Sequence, residues 1–143
     1  MENNNFEIHS GWLSSQASQK DLFEFLSHIQ NLEKILPKDK IQNIQATSDK
    51  ISFEIENIIQ LKLFIKEKYF SESNEQTSFI QYQSEPFGNY HLELTAQFQN
   101  NQSQIILSGY LNPFVLSIAR KKLTYLVERI NQELVKFSPN QPQ

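Results

Sequence analysis

The stretch that decides the fold is residues 112–137, NPFVLSIARKKLTYLVERINQELVKF. Asn112 is a favoured N-cap residue, and Pro113 suits the first helical position because the N–H it lacks would have had no intrahelical partner. A helix therefore starts sharply here. Val115, Ile118, Ala119, Leu123, Leu126, Val127, Ile130, Leu134 and Phe137 recur at three- and four-residue steps until Ser138-Pro139 ends the pattern, which is the period of an amphipathic helix. From Pro113 to Phe137 it would run roughly 37 Å at 1.5 Å per residue. A helix of that length needs a long apolar surface to lie on.

The residues upstream supply that surface. Ser103–Leu111 carries Ile105, Leu107, Gly109 and Leu111 on one face, and before it Tyr90, Leu92, Leu94, Ala96 and Phe98 alternate with His91, Glu93, Thr95 and Gln97. Alternation of this kind marks a half-buried strand. Asn100-Asn101 joins the two as a turn. Further back, Phe79–Ser84, Gln60–Tyr69, Lys50–Glu56 and Ile41–Thr47 read as strands, with Glu85-Pro86-Phe87-Gly88, Ser71–Glu75 and Ser48-Asp49 as breaks. Six successive antiparallel strands make a meander. Ahead of them, Ser18 caps a short helix through Leu22, Phe23, Leu26 and Ile29, with Asp21 in the capping-box position. Asn31 is placed to cap a second short helix, which Pro37 stops. Asn5–Leu13 is the first strand. The order predicts an α+β fold: a curved seven-stranded antiparallel sheet, two short helices after the first strand, and the long helix across the concave face.

At 143 residues, with 38% hydrophobic and 12% aromatic content, the chain is expected to form a single domain over 1–143, with 138–143 a disordered polar tail. Thirteen basic and sixteen acidic residues leave a net charge of −3 and no basic stripe, so nothing supplies counterion-driven nucleic-acid binding. The absence of cysteine excludes disulfides, zinc–thiolate sites and cysteine nucleophiles. MENNNFEIHS has neither a charged leader region nor an apolar one, and no window nears 18 apolar residues. A soluble, cytoplasmic protein without an integral membrane segment is expected.

Catalytic motifs do not emerge. His9, His28 and His91 lack metal-ligand spacing, and Gly11, Gly88 and Gly109 are too scattered for a phosphate-binding or dinucleotide loop. No Gly-x-Ser-x-Gly elbow is present, and Glu54 and Glu56 fall on the polar side of a strand. No catalytic residue, metal or cofactor is assigned. Arg120-Lys121-Lys122 is the one basic run; its bland reading is a solvated face, its functional one an anionic membrane or partner surface.

Phe23-Glu24-Phe25-Leu26-Ser27, Asn31-Leu32-Glu33-Lys34-Ile35-Leu36-Pro37, Gln45-Ala46-Thr47, Phe53-Glu54-Ile55, Pro86-Phe87 and Asn112-Pro113-Phe114, in that order, resemble the small bacterial members of the START/Bet v 1-like helix-grip superfamily (SRPBCC), which includes polyketide cyclases and lipid-transfer domains. The resemblance implies a helix-grip fold with an apolar cavity between sheet and C-terminal helix, where members bind lipids, sterols, polyketides or other hydrophobic molecules. One departure is that Thr47-Ser48-Asp49-Lys50 has no glycine where Bet v 1-type members carry a glycine-rich loop.

On that expectation the cavity lining is Phe53, Ile55, Leu63, Ile65, Leu92, Leu94, Leu107 and Leu111 from the sheet with Phe114, Ile118, Leu126 and Ile130 from the helix; Tyr82, Tyr90, Tyr110 and Gln81 are candidates to orient a ligand. Loops at 37–40 and 84–89 would gate it. The expected function is binding, transport or sequestration of a hydrophobic small molecule or lipid. Two alternatives stand beside it: a cyclase/dehydrase-like enzyme using His28 or an inward tyrosine, and a non-enzymatic interaction module with a filled core, such as a homodimer using outward residues like Phe64.

Overall fold

The computed structural model describes residues 3–85 and 90–139. Its elements run β1 (Phe6–His9), β2 (Leu13–Ser14), α1 (Gln19–Leu26), a 3-10 helix (Ile29–Lys34), β3 (Ile41–Ala46), β4 (Ile51–Ile55), β5 (Ile59–Tyr69), β6 (Ser78–Ser84), β7 (His91–Gln99), β8 (Gln102–Tyr110) and α2 (Pro113–Leu134). The sheet is antiparallel, ordered β1-β8-β7-β6-β5-β4-β3, with β2 also on β8. The fold is α+β, as the element order predicts. The expected Pro86-Phe87 and Gly88 turn, part of the 84–89 loop, and residues 140–143 of the tail lie outside the described residues.

The sheet has eight strands rather than seven, and the helices follow the second strand rather than the first. Gly11 causes both differences. Its φ of +82° is a left-handed conformation that glycine adopts at no steric cost, and it cuts the expected first strand in two. Phe6–His9 pairs with Ile106–Gly109, and Leu13–Ser14 pairs with Gln102–Ser103, so both pieces share one edge of β8. Ser10 stitches the gap: its N–H donates to the Ile105 carbonyl, and its Oγ accepts from the Ile105 N–H, each at 2.9 Å.

The first helix starts as its sequence dictates, Ser18 Oγ accepting from the Asp21 N–H at 3.1 Å. The second is a 3-10 helix that begins after His28 without a side-chain cap. Asn31 does not cap it; its Nδ2 reaches back to the Phe25 carbonyl at 2.7 Å and closes the end of α1. Asn100 and Asn101, with φ of 54° and 60°, form the two-residue turn joining β7 to β8, the backbone geometry that matches strand twist in tight hairpins. At the opposite edge β3 is kinked: its register with β4 shifts between Gln42 and Gln45, and Asn43 sits at φ 55°, the signature of a bulge.

Asn112 caps α2, its Oδ1 accepting from the Phe114 N–H at 2.9 Å. The helix ends at Leu134, so its 22 residues span about 33 Å. It buries Leu116, Ala119, Leu123, Leu126, Val127, Ile130 and Leu134. One polar residue joins that stripe. Asn131, fully buried, accepts from Ser103 Oγ at 2.7 Å and donates to the Ser103 carbonyl at 3.0 Å and the Gly11 carbonyl at 3.1 Å. The break at Gly11 thus offers α2 a carbonyl that an unbroken ladder would have used.

Candidate functional site

The inward rows of the sheet and the buried stripe of α2 face one another across an apolar gap. Phe53, Ile55, Leu61, Leu63, Leu92, Leu94, Leu107, Leu126 and Ile130 line it. Eight of the expected lining residues, Phe53, Ile55, Leu63, Leu92, Leu94, Leu107, Leu126 and Ile130, are therefore brought together. The gap between them is about 10 Å³, at the lower limit for a single water. Ligand pockets typically span about 300–1,000 Å³. Among the described residues the gap bounded by these nine side chains is therefore too small for a ligand, and none of the nine can take up or release a proton.

Ile65, Phe114 and Ile118 stand elsewhere, as does Tyr82, and Leu111 is buried outside this lining. Ile65 is half-buried, beside the irregularity between Ile65 and Glu67 that turns β5 away from the core. Tyr82 is fully buried, but its hydroxyl donates to the Leu26 carbonyl at 2.6 Å. That bond pins the end of α1 to the sheet. Burial pushes the phenol well above its ordinary range, so it stays a neutral donor at every physiological pH. Removing the hydroxyl in Tyr82→Phe leaves the carbonyl in a dry environment, and the variant is expected to lose about 1–2 kcal/mol in urea unfolding. An unchanged midpoint would mean that water reaches Leu26.

Phe114 and Ile118 require the plainest correction. Both were expected to face the sheet, and they are 73% and 60% exposed. At 100° per residue they lie roughly opposite the middle of the full buried stripe, Leu116, Ala119, Leu123, Leu126, Val127, Ile130 and Leu134. The sequence carries the signal: the helical phase fixed by Ala119, Leu123, Leu126, Val127, Ile130 and Leu134 leaves these two on the outside.

The proposed orienting groups are also spoken for. Tyr90 donates its hydroxyl to the Gln60 carbonyl at 2.5 Å, Gln81 donates to Glu93 at 2.9 Å on the outer face of the sheet, and Tyr110 stacks with His91 at 6.5 Å between ring centroids. His28 is exposed. His9 contacts Glu7 and His91 contacts Asn4; among the described residues no group of three or more His, Cys, Asp or Glu is placed to hold a metal. On the other face of the sheet a trough of about 450 Å³ runs over the short side chains of Thr95 and Ser108. Of its three carboxylates, Glu7, Glu67 and Glu93, Glu7 contacts His9 and Glu93 is engaged by Lys66 and Gln81.

Charges gather around α2. Glu56, on the β4–β5 turn, sits 3.5 Å from Lys40 and 3.7 Å from Lys122 and links that turn to the helix. Arg129 donates to Tyr125 Oη at 2.5 Å, which in turn donates to Asp39 at 3.1 Å. Partly exposed pairs of this kind contribute at most about 1 kcal/mol each, so apolar contacts and Asn131 set the seat of the helix.

Comparison with known proteins bears on the fold. No family model matches the chain, and neither does any curated protein. Solved structures do. A hypothetical protein from Helicobacter pylori superposes with a TM-score of 0.57 at 11% identity, covering 91% of this chain and 86% of that one. An uncharacterised protein from Bacillus thuringiensis gives 0.53 at 10% identity, over 92% of this chain and all of that one. The protein XoxI from Bacillus cereus gives 0.52 at 13% identity, over 90% and 94%. At such identities the likeness is one of fold. No helix among the described residues is long and apolar enough to cross a membrane.

Proposed function

We propose that this chain is a divergent domain of the START/Bet v 1-like helix-grip type that works as a non-enzymatic interaction module, through its exterior rather than through an internal ligand cavity. The superfamily reading is supported by the element order and the fold likeness above. The functional reading is carried by one contrast: a gap of about 10 Å³ under α2, against two large apolar side chains held in water on its outer face, Phe114 and Ile118. An exposed apolar pair gains nothing for the folded monomer, and a partner of opposite charge to the neighbouring Arg120-Lys121-Lys122 would cover it.

Binding a lipid inside would require α2 to lift and forfeit burial of seven apolar residues, at about 25 cal/mol per Å² of surface re-exposed. Purified protein incubated with a total lipid extract, washed and examined by native mass spectrometry, is therefore expected to carry no stoichiometric lipid. Retention of one lipid per chain would overturn the module reading in favour of the carrier.

A further inference from the structure

We infer that the outer face of the N-terminal half of α2 is a docking surface for an anionic phospholipid bilayer. The inference rests on the exterior-module reading and names its partner. Phe114, Ile118 and Lys121 follow one another at steps of four and three, so their side chains rise from one face of the helix. Phe114 and Ile118 are the two most exposed large apolar residues among those described. Residues 113–127 contain three cations and no carboxylate, and all three, Arg120, Lys121 and Lys122, are exposed. Lys122 is partly held by Glu56, whereas Arg120 and Lys121 enter no ion pair among the described residues. The positive end of the helix dipole lies at the same end as the two apolar side chains.

Apolar tips beside exposed cations suit a membrane interface. Phe114 and Ile118 enter the boundary between headgroups and acyl chains, while Lys121 on the same face and Lys122 on its flank meet lipid phosphates and serine carboxylates. A protein partner fits less well. A specific protein contact takes about 800 Å² from each side, and two protruding side chains fall well short of that, at the roughly 150–250 Å² apiece that a large aromatic buries. A fluid lipid surface shapes itself around them and needs no such template. With two inserting residues and two flanking cations, attachment is reversible and salt-sensitive.

The test is co-sedimentation of the full chain with vesicles of phosphatidylcholine alone, and of phosphatidylcholine with about one quarter phosphatidylserine. Binding to the anionic vesicles is expected to exceed binding to the neutral ones at least about tenfold, and to vanish near 1 M salt, where charges are screened beyond about 3 Å. Phe114→Ser/Ile118→Ser and, separately, Lys121→Glu/Lys122→Glu are each expected to weaken it about tenfold or more. Thermal melts of both variants check that the fold is kept; all four positions are exposed. Equal partition onto neutral vesicles, no binding to either, or variants that bind like the parent would each overturn the membrane assignment. Should the parent instead sediment as a dimer that the serine pair converts to monomer, the occupant is a second copy: the lipid proposal fails and the exterior-module reading stands.

Discussion

Gly109→Ala is expected to destabilise the fold more than any other single-methyl addition, by on the order of 4 kcal/mol. Gly109 lies in β8 with Leu92 of β7 on one side and Phe6 of β1 on the other. A Cβ built there would stand 2.1 Å from the His91 carbonyl oxygen and 2.9 Å from the Leu92 Cα. Both obstacles are backbone. Neither can rotate away, so the β7–β8 ladder itself must spread. The residue also holds φ at +150°, outside the range that side chains tolerate without strain. Strain of this kind costs about 1–3 kcal/mol, and forcing a methyl into packed space a further 1–3. The seam affected joins β1 to the rest of the sheet, and the Gly109 carbonyl also accepts the Asn5 N–H at 2.9 Å. The measurement is urea unfolding followed by far-ultraviolet circular dichroism. A variant within 1 kcal/mol of the parent would mean that the strands do not approach as closely as described.

Asn131→Ala is expected to cost about 2–4 kcal/mol. The substitution removes three hydrogen bonds at once, strands the buried Ser103 hydroxyl at about 1–3 kcal/mol, and takes a partner from the part-buried Gly11 carbonyl. Asn131→Asp tests the same site by pH. A carboxylate there faces the carbonyl oxygens of Gly11 and Ser103, which favour its protonated form, so its folded pKa lies above the unfolded value of about 3.9. Above that value the unfolded chain holds fewer protons than the folded one, and stability falls as pH rises until the folded pKa is passed. Chemical denaturation at about pH 4 and pH 7 reads the slope. An aspartate variant as stable at neutral pH as at acid pH would show that Asn131 is not enclosed.

Much of this architecture can be read from residue order, because period and capping are local. Asn112-Pro113 starts α2, Ser18 starts α1 and Asn100-Asn101 turns β7 into β8, each through a contact within three residues. What escapes the sequence is set at a distance. Gly11 reads as one unremarkable step in a strand until Asn131, 120 positions away, is seen to need its carbonyl. Tyr82 reads as a ligand-orienting group until Leu26 is brought over it by the helix between them. The extent of the gap under α2 is likewise beyond patterning, since a row of Leu and Ile at alternate positions is the same whether the space above is empty or filled. Phe114 and Ile118 are apolar and fall near the helical period, but the phase set by Leu116, Ala119 and Leu123 excludes them.

The kink in β3 matters beyond the monomer. An outermost strand presents unpaired N–H and C=O groups that can template addition of another chain, and fibrous aggregates grow from such rows. Asn43, turned to the left-handed side, interrupts that row after two residues. The opposite border is blunted differently, by splitting into pieces of four and two residues. Neither rim of the sheet is a long, flat ribbon, and a protein so built can be crowded in a cell at little risk of joining its neighbours edge to edge.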